Sequence, residues 1–262
     1  MHWEELTAPD FATAVQATGG VCLLPIGCVE KHGEHLPLGT DYLYIKYLCG
    51  QAAKAEPAIV FPHYYFGQIN CARHCPGTIA IKHEMLMNLL EACCDEIARN
   101  GLRKIIIVNG HGGNTHFLRF FCQVMLEKHR DYVVFLYENP PMSPEVQAML
   151  ETTNHAHGEE VETSRMLVVR PDTVRMDKVS HDGQPLGRMA AFDKKLYMGI
   201  WWYADYPTHY AGQAEYANPK KGQALIQDRV EKLAAAIRLA KSDDTPARLQ
   251  AEFFGLCEHG HK

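Results

Sequence analysis

Lys104-Ile105-Ile106-Ile107-Val108 is a continuous run of mostly β-branched residues that stops abruptly at Asn109-Gly110-His111-Gly112-Gly113-Asn114. A strand without polar alternation must be covered on both faces, so this run reads as a central parallel strand. Parallel strands need crossover connections, usually helices, and the flanking sequence supplies them. Residues 85–98 place Leu86, Leu89, Leu90, Cys93, Cys94 and Ile97 on one helical face and meet a stop signal at Asn100-Gly101. Residues 115–129 predict a second helix, followed by an apolar strand over 132–137. The middle third is therefore a β–α–β unit whose loops gather at the strands' C-terminal ends, where open α/β sheets bind ligands.

The pattern extends in both directions. Val21-Cys22-Leu23-Leu24-Pro25-Ile26-Gly27 reads as a buried strand feeding a loop, and residues 58–61 as another strand. Residues 41–55 predict a helix capped by Asp41, residues 161–169 a further helix, and residues 219–241 an amphipathic helix with Leu225, Val230, Leu233 and Ile237 inward. Residues 181–219 look irregular and aromatic-rich, and a stretch of that length suits a functional cover. The expectation is a single α/β domain over 1–262.

A net charge of −5 gives no basic footprint for nucleic-acid phosphates, which points to small-molecule partners. No apolar run approaches the roughly 20 residues that span a bilayer. The start, Met1-His2-Trp3-Glu4-Glu5, lacks the order of a signal peptide, so a cytoplasmic address is expected. Nine cysteines without a CxxC pair suggest reduced thiols, with Cys22, Cys49, Cys93, Cys94 and Cys122 acting as small buried hydrophobes. His2, His259 and His261, near the termini, read as solvated tails or weak adventitious metal binders.

Three clusters carry the chemistry. The first, Glu30-Lys31-His32-Gly33-Glu34-His35-Leu36-Pro37-Leu38-Gly39-Thr40-Asp41, follows the first strand. Residues two apart in extended backbone project to the same side, so Glu30 and His32 can aim at one point, and the glycines and Pro37 can fold Asp41 back to them. The second is the glycine-rich turn around His111, where Gly110, Gly112 and Gly113 supply either positive φ or close backbone approach and amide donors. It lacks the lysine and spacing of a P-loop. The third, His155-Ala156-His157-Gly158-Glu159-Glu160-Val161-Glu162-Thr163-Ser164, can turn one acid inward, and a buried carboxylate needs a cation or a partner. Imidazole and carboxylate ligands without thiolate suit zinc, manganese or iron.

In order, these clusters resemble the creatininase family, which carries Glu-x-His-Gly-x-His-Leu-Pro-x-Gly-Thr-Asp, Gly-His-Gly-Gly-Asn and late His-x-x-x-x-Glu-Thr-Ser segments. The likeness runs from Trp3-Glu4-Glu5-Leu6-Thr7 through His74-Cys75-Pro76-Gly77-Thr78-Ile79 to Glu162-Thr163-Ser164. It implies a three-layer αβα sandwich with a mainly parallel central sheet, two divalent metal ions per subunit and a homo-oligomer, usually a hexamer. It also implies Glu30 and His111 on one metal, His32 and Glu162 on the other, Asp41 bridging, and His157 as a proton shuttle. The chain departs from creatininase itself at Gly113, where that enzyme has a glutamate ligand, which points away from creatinine as the substrate. The Gly-His-Gly-Gly-Asn form resembles other branches: deformylases, a peptidase of cofactor maturation, and an inositol-ring hydrolase.

The expected activity is hydrolysis of a cyclic amide or related C–N bond by metal-activated water. One alternative is C–C hydrolysis opening a keto-cyclitol ring; another is a non-catalytic metal-binding protein. Trp201, Trp202, Tyr203, Tyr206, His209 and Tyr210 could form a stacking cover, with Trp201, Trp202 or His209 touching substrate, or could pack a core or subunit interface; His74 could line the pocket or be a structural histidine. No Gly-x-Ser-x-Gly elbow exists, and neighbouring carboxylates would deactivate a Cys28 thiol.

Overall fold

Consecutive side chains of a strand face opposite ways, and in β1 (Val21–Ile26) both sets are apolar and fully buried, so helices must cover both sides. The computed structural model describes residues 1–192 and 195–259. In it, β1 sits among α1 (Ala8–Ala17), α2 (Thr40–Ala55), β2 (Ile59–Val60), α3 (His83–Arg99), β3 (Lys104–Asn109), α4 (Asn114–Val124) and β4 (Val133–Tyr137). The chain continues through α5 (Pro144–Gln147), α6 (Glu160–Val169), α7 (Trp201–Asp205), α8 (Pro219–Ser242) and α9 (Thr245–His259). His261 lies outside the described residues, as does the side chain of His259.

Among the described residues the four strands are all parallel, in the order β2-β1-β3-β4. On one face Ile45 and Leu48 of α2, Met166 of α6, and Leu233 and Ile237 of α8 pack against Val21, Leu23, Ile106 and Val108. On the other face Ala14 of α1, Leu90 and Ile97 of α3, and Leu118 and Phe121 of α4 pack against Cys22, Leu24, Ile105 and Ile107. This is the expected three-layer arrangement. Each fully buried leucine or isoleucine contributes roughly 1.5–3 kcal/mol, and the two cores together outweigh any local propensity.

Several local expectations change. α4 ends at Val124 rather than 129, because Glu127-Lys128-His129 offers no apolar side chain to hold another turn against the sheet. Leu89 is exposed and Cys93 half-buried, so the apolar face of α3 is narrower than its composition suggests. Cys22, Cys49 and Cys94 are buried thiols, whereas Cys122 is half-buried, its thiol pushed up to about 11 by burial. His2 is no solvated tail: it is half-buried and bridges Val60 through its backbone. Among the described residues no helix is long and apolar enough to cross a membrane.

α6 and α8 approach closely at Gly222, where a Cβ would stand 2.0 Å from the Ser164 carbonyl oxygen. Alanine would gain at most ~1 kcal/mol of helix propensity. A backbone carbonyl cannot step aside, so Gly222→Ala should destabilise the fold by a net ~1–3 kcal/mol. A thermal melt of the variant that matches or exceeds wild type would refute this packing argument.

Candidate metal centre

β1 and β3 are neighbours, with Ile26 paired to Asn109, while β2 and β4 lie on their outer sides. The crevice at this reversal of strand order, beyond the C-terminal ends, collects segments 27–41 and 110–114. The Glu30 N–H donates to the Leu38 carbonyl at 2.9 Å, closing the first segment into a loop that returns the chain to Asp41. Asp41 does not cap α2. It lies in the first turn after Gly39, and its oxygens face histidines rather than backbone amides.

Five side chains from three segments converge. Asp41 Oδ1 is 3.1 Å from His32 Nε2, and Asp41 Oδ2 is 2.8 Å from His111 Nδ1. Glu30 Oε1 is 2.8 Å from His111 Nδ1 and 3.9 Å from His32 Nε2, and Glu162 Oε2 is 3.8 Å from His32 Nε2. The outer nitrogens of both rings are held by backbone carbonyls: His32 Nδ1 is 3.2 Å from Glu30 O, and His111 Nε2 is 3.0 Å from Gln68 O. Those bonds turn His32 Nε2 and His111 Nδ1 inward.

The electrostatics of this cluster call for cations. Burial alone would raise Glu30 and Asp41, yet His111 and His157 hold Glu30 well below its ordinary value, and His32 and His111 hold Asp41 below its own. Burial would lower His32, but Asp41, Glu162 and Glu30 outweigh it and push it up to about 10. Glu162 is raised to about 7 by burial, with Asp41 and Glu159 adding to the effect against His32. His157 is lowered to about 3 by burial and by the neighbouring His32, whose ring stacks on it at 4.1 Å. Among the described residues no lysine or arginine pairs with Glu30, Asp41 or Glu162. Glu30 Oε1 is buried without a hydrogen bond of good geometry despite its short approach to His111. Three carboxylates, two inward imidazoles and an orphaned oxygen suit divalent cations. Cys28 Sγ lies 3.2 Å from Asp41, with its thiol raised well above the usual range by burial, so it is a poor nucleophile.

The acids of the third cluster divide. Glu162 accepts from the Gly158 N–H at 2.6 Å and faces the crevice. Glu159 caps α6 by accepting from the Val161 and Glu162 amides. Glu160 is wholly buried, pointing away toward Thr152 and Lys221. The motif picks out Glu162, but nothing local separates Glu159 from Glu160, because Lys221 lies 61 residues downstream. Gln68 also escaped notice: its carbonyl orients His111 and its N–H is held by Asn114 Oδ1 at 2.8 Å, but a backbone group has no sequence signature.

A cavity of about 860 Å³ opens from this cluster, lined by Gly112, Gly113, His74, His157, Trp201, Trp202 and His209 among others. None of Gly110, Gly112 and Gly113 has positive φ, so the turn uses them for close approach. A Cβ at position 113 would stand 2.4 Å from His111 Nε2, which excludes any side chain there while His111 keeps this orientation. His74 is 2.9 Å from the Pro207 carbonyl and meets the Tyr203 ring edge-on. Tyr210 is not part of the cover: it is buried, with its hydroxyl accepting from the Ala214 amide.

A family model described as creatinine amidohydrolase matches residues 4–237. Creatinine amidohydrolase of Pseudomonas putida is 28% identical over 259 residues, covering 89% of this chain and 95% of that protein. The 3-dehydro-scyllo-inosose hydrolase of Thermotoga maritima is 25% identical over 250 residues, covering 82% and 76%. Among solved structures, a mutant creatininase of Zn-Zn type superposes with TM-score 0.78 at 25% identity, covering 92% of this chain and 98% of that one. A manganese creatininase does so with TM-score 0.77 at 25% identity, covering 92% and 99%.

Proposed function

Since this chain belongs to the creatininase family and is a hydrolase, we propose that it cleaves a cyclic amide or related C–N bond of a small molecule at a centre of two divalent metal ions. The observation that carries this reading is the division of Asp41, one oxygen toward His32 and the other toward His111. Glu30 and His111 would hold one ion, His32 and Glu162 the other, and Asp41 both. Bound there, such ions polarise a carbonyl and lower the pKa of water from 15.7 toward about 7.

The protein's own groups supply the rest. The low proton affinity of His157 keeps it neutral at pH 7, and its Nε2, 2.8 Å from the Lys31 carbonyl, must carry the hydrogen. Nδ1 is then a free acceptor at the cavity wall, able to take a proton from the attacking water and pass it to the leaving nitrogen. Trp201 and Trp202 give a flat face for a ring and exclude water.

The similarity to the inositol-ring hydrolase favours a second reading, C–C hydrolysis of a keto-cyclitol by the same centre. Elemental analysis of purified protein should find about two zinc, manganese or iron ions per chain. A screen of lactams, formamides and keto-cyclitols then separates the chemistries, because C–N cleavage releases an amine and ring-ketone cleavage releases only a carboxylate. Metal-loaded protein inactive on all three classes would defeat both readings.

Metal uptake should also release protons. His32 stays protonated in the metal-free protein to about pH 10, and a protonated imidazole cannot coordinate. Apparent affinity should therefore rise with pH below 10, about tenfold per unit for each proton displaced. Titration calorimetry in buffers of different ionisation heat reads the number directly; zero protons at pH 7 would contradict the ligand set.

A further inference from the structure

His209 comes from a segment 179 residues beyond Glu30, yet its Nε2 lies 2.7 Å from Glu30 Oε2 and the residue is almost wholly buried. On the other side of the ring, the Trp202 indole N–H donates to His209 Nδ1 at 3.0 Å. Indole nitrogen is only ever a donor, so Nδ1 is an acceptor and the imidazole hydrogen sits on Nε2, directed at the carboxylate. Both ring nitrogens are committed, which leaves neither for a substrate. The backbone is committed as well: His209 has φ +58, a left-handed conformation uncommon for a residue with a Cβ. It is held there by bonds from its N–H to the Tyr206 carbonyl and from the Gly33 N–H to its own carbonyl. Such a conformation persists where the surroundings over-determine it, often at a site of function.

We propose that His209 is a positioning residue: oriented by the Trp202 N–H, it fixes Glu30 Oε2 and so turns Glu30 Oε1 toward the metal centre. The inference rests on the metal-centre reading above and adds to it a link from the aromatic wall of the cavity to a carboxylate that binds metal. Without the bond to His209, Glu30 could rotate and the buried oxygen now facing His111 would no longer be held in place. Trp202 lines the cavity and meets the ring of His157 edge-on at 5.6 Å, so a ligand pressing on that wall bears on the orientation of Glu30. Glu30, His157 and His209 also lie close enough together to share an ion. For His209 to ligate, however, Nε2 would have to abandon Glu30.

The test compares two substitutions of opposite character. Gln at 209 reaches as far as Nε2 and keeps a donor for Glu30. Asn tolerates the left-handed backbone and can still face Trp202, but falls short of Glu30. Zn²⁺ affinity is measured by competition with a chromophoric chelator, alongside thermal melts of the metal-free proteins. His209→Asn should weaken Zn²⁺ binding by about 10–100-fold while the melt shows that it is still folded, and His209→Gln should restore most of that loss. Trp202→Phe, which removes only the N–H, should weaken binding by less than His209→Asn. His209→Asn binding Zn²⁺ as tightly as wild type, or His209→Gln binding as weakly as His209→Asn, would overturn the proposal alone. Wild-type protein that takes up no Zn²⁺ would overturn it together with the metal-centre reading.

Discussion

Asp41→Asn should cut turnover by about 10³-fold or more, the scale on which loss of one preorganised charge acts, and leave less than one bound ion per chain. The carboxylate offers equivalent oxygens to His32 and His111. An amide keeps one acceptor and turns an NH₂ group toward the other position, where it meets a donor and cannot coordinate. The loss should therefore reach both ions, whereas removal of Glu162 should chiefly affect the one beside His32. Elemental analysis after gel filtration, with circular dichroism to confirm folding, checks this. Full loading and turnover in the variant would remove the basis for a shared aspartate.

The second large effect is on stability. Lys221→Met should cost about 3–5 kcal/mol, because it strands a carboxylate that pairs with no other lysine or arginine among the described residues. Lys221 Nζ donates to Glu160, to Glu151 at 2.8 Å and to the Tyr216 carbonyl at 2.8 Å. Glu160 also accepts from the Thr152 amide at 2.9 Å and the Thr152 hydroxyl at 2.7 Å. At roughly 2–4 °C per kcal/mol for a protein of this size, the melting temperature should fall by about 6–20 °C. Replacing both partners, Lys221→Met with Glu160→Leu, should recover most of it, since no buried charge is then left unpaired and Glu151, which also loses Lys221, is exposed. The pH dependence has a definite sign. Burial would raise Glu160, but Lys221 and the surrounding donors hold it below its ordinary value. The pair's contribution is therefore full above the unfolded carboxyl value, near 4.3, and fades as pH falls through the folded one. The gap between wild type and Lys221→Met should narrow in acid. A variant melting within ~1 °C of wild type at pH 7 would show the pair to be energetically idle.

How much could be read in advance follows from where the information lies. β1 and β3 are apolar runs buried on both faces, and that composition is local, so the sheet, its parallel sense and the ligand crevice were legible. α1 was not: it buries only Ala14 and leaves hardly any periodic signal. β2 was legible as an apolar run over 58–61, although only Ile59 and Val60 pair in the sheet. The Glu30, His32 and Asp41 loop is dense enough in imidazole, carboxylate, glycine and proline to announce itself. The resemblance singled out Glu162, but the roles of Glu159 and Glu160 were hidden, because the cation that claims Glu160, Lys221, lies far along the chain. His209 looked like one more ring in an aromatic segment, and only the folded backbone brings it to Glu30.

That long reach constrains biogenesis. A nascent chain leaving the ribosome cannot close the crevice until residue 209 and the helix that follows it have been synthesised, so ions captured earlier by the 30–41 loop would exchange freely with water. If the centre takes up metal as proposed, uptake should then be a late step on an already folded polypeptide. The ion pool of the compartment, rather than the folding pathway, would decide which element is retained.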